Sequence, residues 1–145
     1  MNLRILCASS CLLLGVGLVP GTSAQAVDAA PEVVATINVG SAPWGVAITP
    51  DGGRAFIGNS GQTTTNNISV IDIRSLTVIR QIDTGRTGAA GVAITPDGSR
   101  AFVANYGPGS VSIIDTTNYS DLVATAGCVN PLAASPDPMG TFIYI

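Results

Sequence analysis

From Glu32 onward, short apolar or alternating runs are separated by clusters of Gly, Pro, Asp, Asn and Thr. Gly45–Thr49, Arg54–Gly58, Ile68–Ile73 and Thr77–Asp83 are four such runs. Their period of two predicts strands, with Val46 and Ile48 pointing one way and Ala47 and Thr49 the other. Between the first two runs stands Thr49-Pro50-Asp51-Gly52. Proline fixes φ for a turn's second position, aspartate bonds nearby backbone, and glycine accepts a positive φ, so a hairpin is expected there. No segment beyond the N-terminal stretch shows a helical period, so little helix is expected.

The unit is then repeated. Gly45-Val46-Ala47-Ile48-Thr49-Pro50-Asp51-Gly52 returns unchanged 46 residues later as Gly91 to Gly98. Arg54-Ala55-Phe56-Ile57-Gly58-Asn59 becomes Arg100-Ala101-Phe102-Val103-Ala104-Asn105, and Ile68-Ser69-Val70-Ile71-Asp72 becomes Val111-Ser112-Ile113-Ile114-Asp115. A third copy is read from Pro131, with Ser135-Pro136-Asp137 in place of Thr-Pro-Asp. One four-stranded sheet of this size cannot bury both of its faces, so neighbouring copies must cover them. Four strands per repeat of about 40 to 46 residues fit the blade of a β-propeller. The fold expected is therefore all-β: a partial β-propeller of about two and a half four-stranded antiparallel blades. The small residues Gly45, Ala47, Gly91 and Ala93 suit the crowded innermost strand, and Arg80-Gln81 suit an exposed outer one.

Phe56-Ile57-Gly58-Asn59 and Phe102-Val103-Ala104-Asn105 each follow Pro-Asp-Gly and precede an apolar run ending in aspartate. In this they resemble the YVTN-type β-propeller repeat, over about Glu32 to Ile145. Phenylalanine replaces the tyrosine, and Gly58 or Ala104 the threonine, of the namesake tetrad. The resemblance implies an exported bacterial or archaeal surface-layer protein, or a propeller related to lactonases or periplasmic redox subunits. It does not specify an activity.

The first 26 residues read as a secretory signal. Arg4 precedes an apolar run from Ile5 to Val19, Pro20-Gly21 ends it, and Ala24-Gln25-Ala26 supplies the cleavage pattern, so cleavage is expected after Ala26. The run is shorter than the roughly 20 residues of a membrane-spanning helix. The exported part, residues 27–145, is then expected in the periplasm or at the cell surface, with no membrane insertion. It comprises an outer strand at 32–40, blades at 44–84 and 91–125, and a partial blade at 131–145. Because the sequence stops inside a strand pattern, a fragment of a longer propeller or a truncated frame is expected over a partial propeller completed by self-association.

Charge and composition narrow the chemistry further. Nine acidic residues stand against six arginines, with no histidine or lysine. Nucleic acid is not expected as a partner, and Ser-His-Asp, Cys-His, imidazole-metal and Schiff-base sites cannot be built. Cys7 and Cys11 leave with the signal, so Cys128 has no intramolecular disulfide partner and reads as a small buried residue. Asp51, Asp72, Asp97 and Asp115 recur once per copy, which argues for turn and cap roles over calcium or catalysis. Asn67-Ile68-Ser69 and Asn118-Tyr119-Ser120 match the N-glycosylation pattern.

No catalytic residue, metal or cofactor is expected. The loops joining second and third strands should share a face with the linkers between copies, which brings forward Trp44, Asn59, Arg86, Asn105 and Tyr106 as ligand contacts. A capping role for Trp44 and turn roles for Asn59 and Asn105 compete with this. The reading is a non-catalytic binding or scaffold module for a protein, small-molecule or glycan ligand. The alternatives are an enzyme's propeller domain with catalytic groups outside this chain, or a surface-layer component.

Overall fold

A computed structural model describes residues 2–7, 32–61, 67–140 and 143–144. The expected cleavage site and most of the apolar run before it lie outside these residues, as do residues 62–66. Asn2–Cys7 (β1) and Glu32–Asn38 (β2) are strands that pair with each other, most of that pair belonging to a separate unit, Arg4–Thr36.

The main unit begins at Ile37 and carries two antiparallel four-stranded sheets. The first is β3 (Pro43–Ile48), β4 (Arg54–Asn59), β5 (Ile68–Asp72) and β6 (Thr77–Ile82). The second is β7 (Ala89–Ile94), β8 (Arg100–Asn105), β9 (Ser110–Asp115) and β10 (Asp121–Ala126). In both, the strands lie side by side in chain order. A small pair follows, β11 (Ser135–Pro136) and β12 (Ile143–Tyr144). There is no helix among the described residues.

The hairpins form as their residues dictate. Gly52 N–H donates to the Thr49 carbonyl (2.8 Å) and Thr49 N–H to the Arg54 carbonyl (2.9 Å), with Gly52 at a φ of 71°. Gly98 repeats this on Thr95 (2.8 Å) with a φ of 74°. In the third copy the donor is Gly140, bonded to the Asp137 carbonyl (2.9 Å) with a φ of 69°. The third turn is therefore Asp137-Pro138-Met139-Gly140, two residues later than the Ser135-Pro136-Asp137 expected from sequence. A glycine able to hold positive φ decides the register over the better-looking Pro-Asp pair. The pairing agrees: Ser135 faces Tyr144 as Ala93 faces Phe102, so Tyr144 is the third copy of Phe56 and Phe102.

The sheets pack face to face. The core joins Phe56, Ile68, Val70 and Ile82 of the first sheet to Ala89, Ala101, Val103 and Ile114 of the second, with Val92, Ile94 and Tyr119 against it. The approach is close enough to require glycine. A Cβ on Gly58 would lie 2.6 Å from the Ala90 carbonyl oxygen, and one on Gly45 would also strike that oxygen. A Cβ on Gly91 would lie 2.5 Å from the Leu132 oxygen, so the third copy seats on the second as the second seats on the first. At the hairpin end, Arg54 Nη1 donates to the Thr116 carbonyl (2.9 Å) and its guanidinium lies 5.7 Å from the Tyr119 ring centroid. This cation–π contact and the Phe56–Tyr119 ring pair at 6.4 Å tie the two sheets together.

Candidate functional site

The linkers and the loops after the second strands do share a face, held together by backbone hydrogen bonds. Ser60 N–H donates to the Ala42 carbonyl (2.8 Å), Gly61 N–H to Ser41 (3.1 Å) and Tyr106 N–H to Gly88 (2.9 Å). On this face a cleft of about 420 Å³ is lined by Trp44, Ser60, Ala90, Tyr106 and Leu132. Trp44 is 70% and Tyr106 45% exposed. The fold thus brings these two expected contacts to one place.

The other three lie elsewhere. Asn59 and Asn105 are buried strand ends; their amide nitrogens donate to Ser69 Oγ (3.0 Å) and Ser112 Oγ (2.9 Å). The same serines accept from the linkers, Ser69 from Gly40 N–H and Ser112 from Arg86 Nη1, each at 3.4 Å. The recurring asparagine therefore clamps the second strand to the third beside the incoming linker. Arg86 is turned to internal partners: Nη1 also donates to the Thr84 carbonyl (2.8 Å) and pairs with Asp121 Oδ2 at 2.6 Å.

Ala90 and Leu132 were not singled out by sequence reasoning, yet they hold the repeat position of Trp44. The close approaches establish this, because Gly45 abuts Ala90 and Gly91 in the same way that Gly91 abuts Leu132 and Ala133. Ser60 and Tyr106 are likewise equivalent, 46 residues apart. One cleft is therefore built from two repeat positions, sampled three times and twice. The signal was present in the spacing, but the third copy's register had to be known first.

The recurring aspartates serve the turns. Asp51 accepts from Thr49 Oγ1 (2.5 Å) and Gly53 N–H (2.9 Å), while Asp97 accepts from Thr95 Oγ1 (2.5 Å), Ser99 N–H (3.0 Å) and Ser99 Oγ (2.9 Å). Asp72 accepts from Ser75 N–H (2.8 Å), and Asp115 from Asn118 N–H (3.1 Å) and Thr117 N–H (2.8 Å). These donors hold all four carboxyls below the ordinary carboxylate range, Asp97 at about 2 under the Thr95 hydroxyl first and Ser99 next. Asp51 and Asp97 also border a smaller cleft of about 180 Å³ on the hairpin face, together with Arg54 and Thr116. Its charged groups are already spent on internal bonds.

Asn67 is buried, and its amide donates to Thr84 Oγ1 (2.8 Å) and to the Arg86 carbonyl. Its match to the glycosylation pattern is met by a structural role, whereas Asn118 is exposed. Cys128 is partly exposed, less enclosed than a core residue.

Solved structures resemble this stack. Hydrazine synthase of Kuenenia stuttgartiensis is similar over 77% of this chain and 32% of that one, at 27% identity and a TM-score of 0.70. The β-propeller domain of Cps50 (Swd1) from Myceliophteria thermophila is similar over 73% and 32%, at 14% identity and a TM-score of 0.63. The sheets are β-propeller blades. The chain spans about a third of the length of each of these neighbours. No protein-family model and no curated protein matches the sequence. The cleft thus lies where successive blades converge, on the face carrying the linkers.

Proposed function

We propose that the chain is the blade-bearing part of an exported, non-catalytic binding or scaffold module whose YVTN-type repeats present a recognition cleft on their linker face. The observation that carries this reading is where the repeats agree and where they differ. Residues 45–52 and 91–98 are identical and make the inner strand and hairpin that join blades. Immediately beside them the cleft is lined by Trp44, Ala90 and Leu132 at one repeat position and by Ser60 and Tyr106 at another. Because Trp44, Ala90 and Leu132 differ in size and shape at one repeat position, the cleft has a relief that exact repetition would not give it. Val46 and Ile48, exposed on the first blade, then form a seat for a further blade from the rest of a longer chain or from self-association.

Export and binding are tested separately. N-terminal sequencing of secreted protein should begin at Val27, and retention of Met1 to Ala26 counts against export with cleavage. For binding, a panel of small neutral compounds should contain ligands that raise the melting temperature of the native chain. That shift should be lost in Trp44→Ala, with the ligand recovered chemically unchanged. A shift kept in Trp44→Ala removes the cleft from the reading, and a ligand consumed during incubation replaces binding with catalysis.

The resemblance to hydrazine synthase favours a second reading, the propeller part of an enzyme. With no histidine or lysine in the sequence, acid–base and metal-ligating groups of those types would come from outside these residues.

A further inference from the structure

Resting on the binding reading, we infer that the cleft lined by Trp44, Ser60, Ala90, Tyr106 and Leu132 takes a neutral pyranose ring, free or at the end of a glycan. Three observations on the same cleft lead to this class. First, none of the five lining residues is an Asp, Glu, Lys or Arg, so neither an anionic nor a cationic ligand finds a counter-charge in the cleft itself, and the chain's net negative charge further disfavours an anion. Second, the cleft's volume of about 420 Å³ lies in the roughly 300–1,000 Å³ range of small-molecule sites.

Third, the two aromatic rings stand open to water instead of enclosing a dry cavity. An occupant resting on them keeps its outer side solvated, and a wholly apolar molecule gains little from so open a seat. A pyranose has the matching construction. Its axial C–H bonds form an apolar face, with partial positive charge suited to the negative face of an indole or phenol ring, while its hydroxyls stay in water. Ser60 and Tyr106 each bring a hydroxyl to the lining, and Ala90, at the repeat position that holds Trp44 and Leu132 in the other copies, is the smallest of the three.

Trp44 is the only tryptophan in the sequence, so its fluorescence reports on this cleft. The native chain is titrated with maltotriose, cellotriose and chitotriose. At least one should change Trp44 emission saturably, with an affinity that does not change with salt. Tyr106→Ala, at a side chain that is 45% exposed and so should leave melting little changed, should weaken that sugar at least about tenfold. Leu132→Ser should weaken it less.

The inference is overturned if no sugar produces saturation, or if binding disappears as salt is raised. If the sugars fail while a neutral aromatic probe such as indoleacetamide binds and is lost in Tyr106→Ala, the ligand class is wrong and the binding reading stands. If neither sugar nor aromatic probe binds, both fall.

Discussion

Val46 and Ile48 of β3 and Val92 and Ile94 of β7 belong to the same octapeptide, folded into the same strand and the same hairpin. Val46 and Ile48 are 54% and 58% exposed, whereas Val92 and Ile94 pack on the core formed by Phe56, Ile68 and Val70. Local structure is therefore set within the repeat, because identical residues give identical turns. Burial is set by the neighbour. The opposite face of the two strands makes the same point in reverse, since Gly45 and Gly91 each abut the next repeat's backbone. A blade thus has one face that is satisfied in both copies and one that is satisfied only in the second. Fully burying a valine or isoleucine side chain is worth roughly 1.5–3 kcal/mol, so the uncovered pair is a sizeable unused contribution.

Substituting the two glycines probes the shared face and should have the largest effect. Gly45→Ala and Gly91→Ala both push a methyl group into backbone oxygen, which cannot rotate aside as a side chain would. Overpacking of this kind costs about 1–3 kcal/mol and should lie near the upper end in both copies, measured by urea unfolding. A clearly smaller cost at Gly91 would show that the second interface is looser than the first, and a clearly larger one the reverse.

The isoleucines probe the face that differs. Ile94→Ala should cost about 2 kcal/mol and Ile48→Ala less than about 0.5 kcal/mol in the same measurement. Should a further blade come to rest on the first, the cost at Ile48 should rise to that at Ile94. Equal costs in the chain alone would mean that Val46 and Ile48 are already covered by a second molecule, which a dependence of stability on protein concentration would reveal.

Much of this architecture was legible from residues 45–52 and 91–98, because a repeated Thr-Pro-Asp-Gly both marks a hairpin and fixes its period. The strands start and end within two residues of the runs read from sequence. The third copy was misread because Ser135-Pro136-Asp137 imitates the turn while Asp137-Pro138-Met139-Gly140 makes it; only backbone conformation separates the two. The candidate site was legible in part. Trp44 and Tyr106 stand out in sequence as aromatics beside turn residues, but Asn59 and Asn105 look equally exposed there, and their buried amides bond Ser69 and Ser112 on the adjacent strand, pairings that only the sheet register reveals. Arg86 is paired with Asp121, 35 residues on, a partner no local pattern announces.

The hairpin aspartates give the smallest expected difference between copies, and it hangs on one residue. Thr-Pro-Asp-Gly is followed by Gly53 in the first copy and Ser99 in the second. Asp97 consequently gains a hydroxyl donor that Asp51 lacks. Both carboxyls are lowered in the folded chain, so each stabilises it above the unfolded value near 3.9, and the contribution fades as pH falls through the folded value. For Asp97 the loss should extend down to about 2. Carboxyl titration by NMR should place Asp97 below Asp51, and Gly53→Ser should bring Asp51 down toward its counterpart. Gly53 tolerates the change, since an added Cβ would sit at ordinary contact distance, 3.4 Å, from the Asp51 carboxylate that the new hydroxyl would reach. A lowered Asp51 in Gly53→Ser assigns the difference between the hairpins to that hydroxyl alone; an unmoved one would shift the cause to Ser99's backbone or to the blade packed beside it.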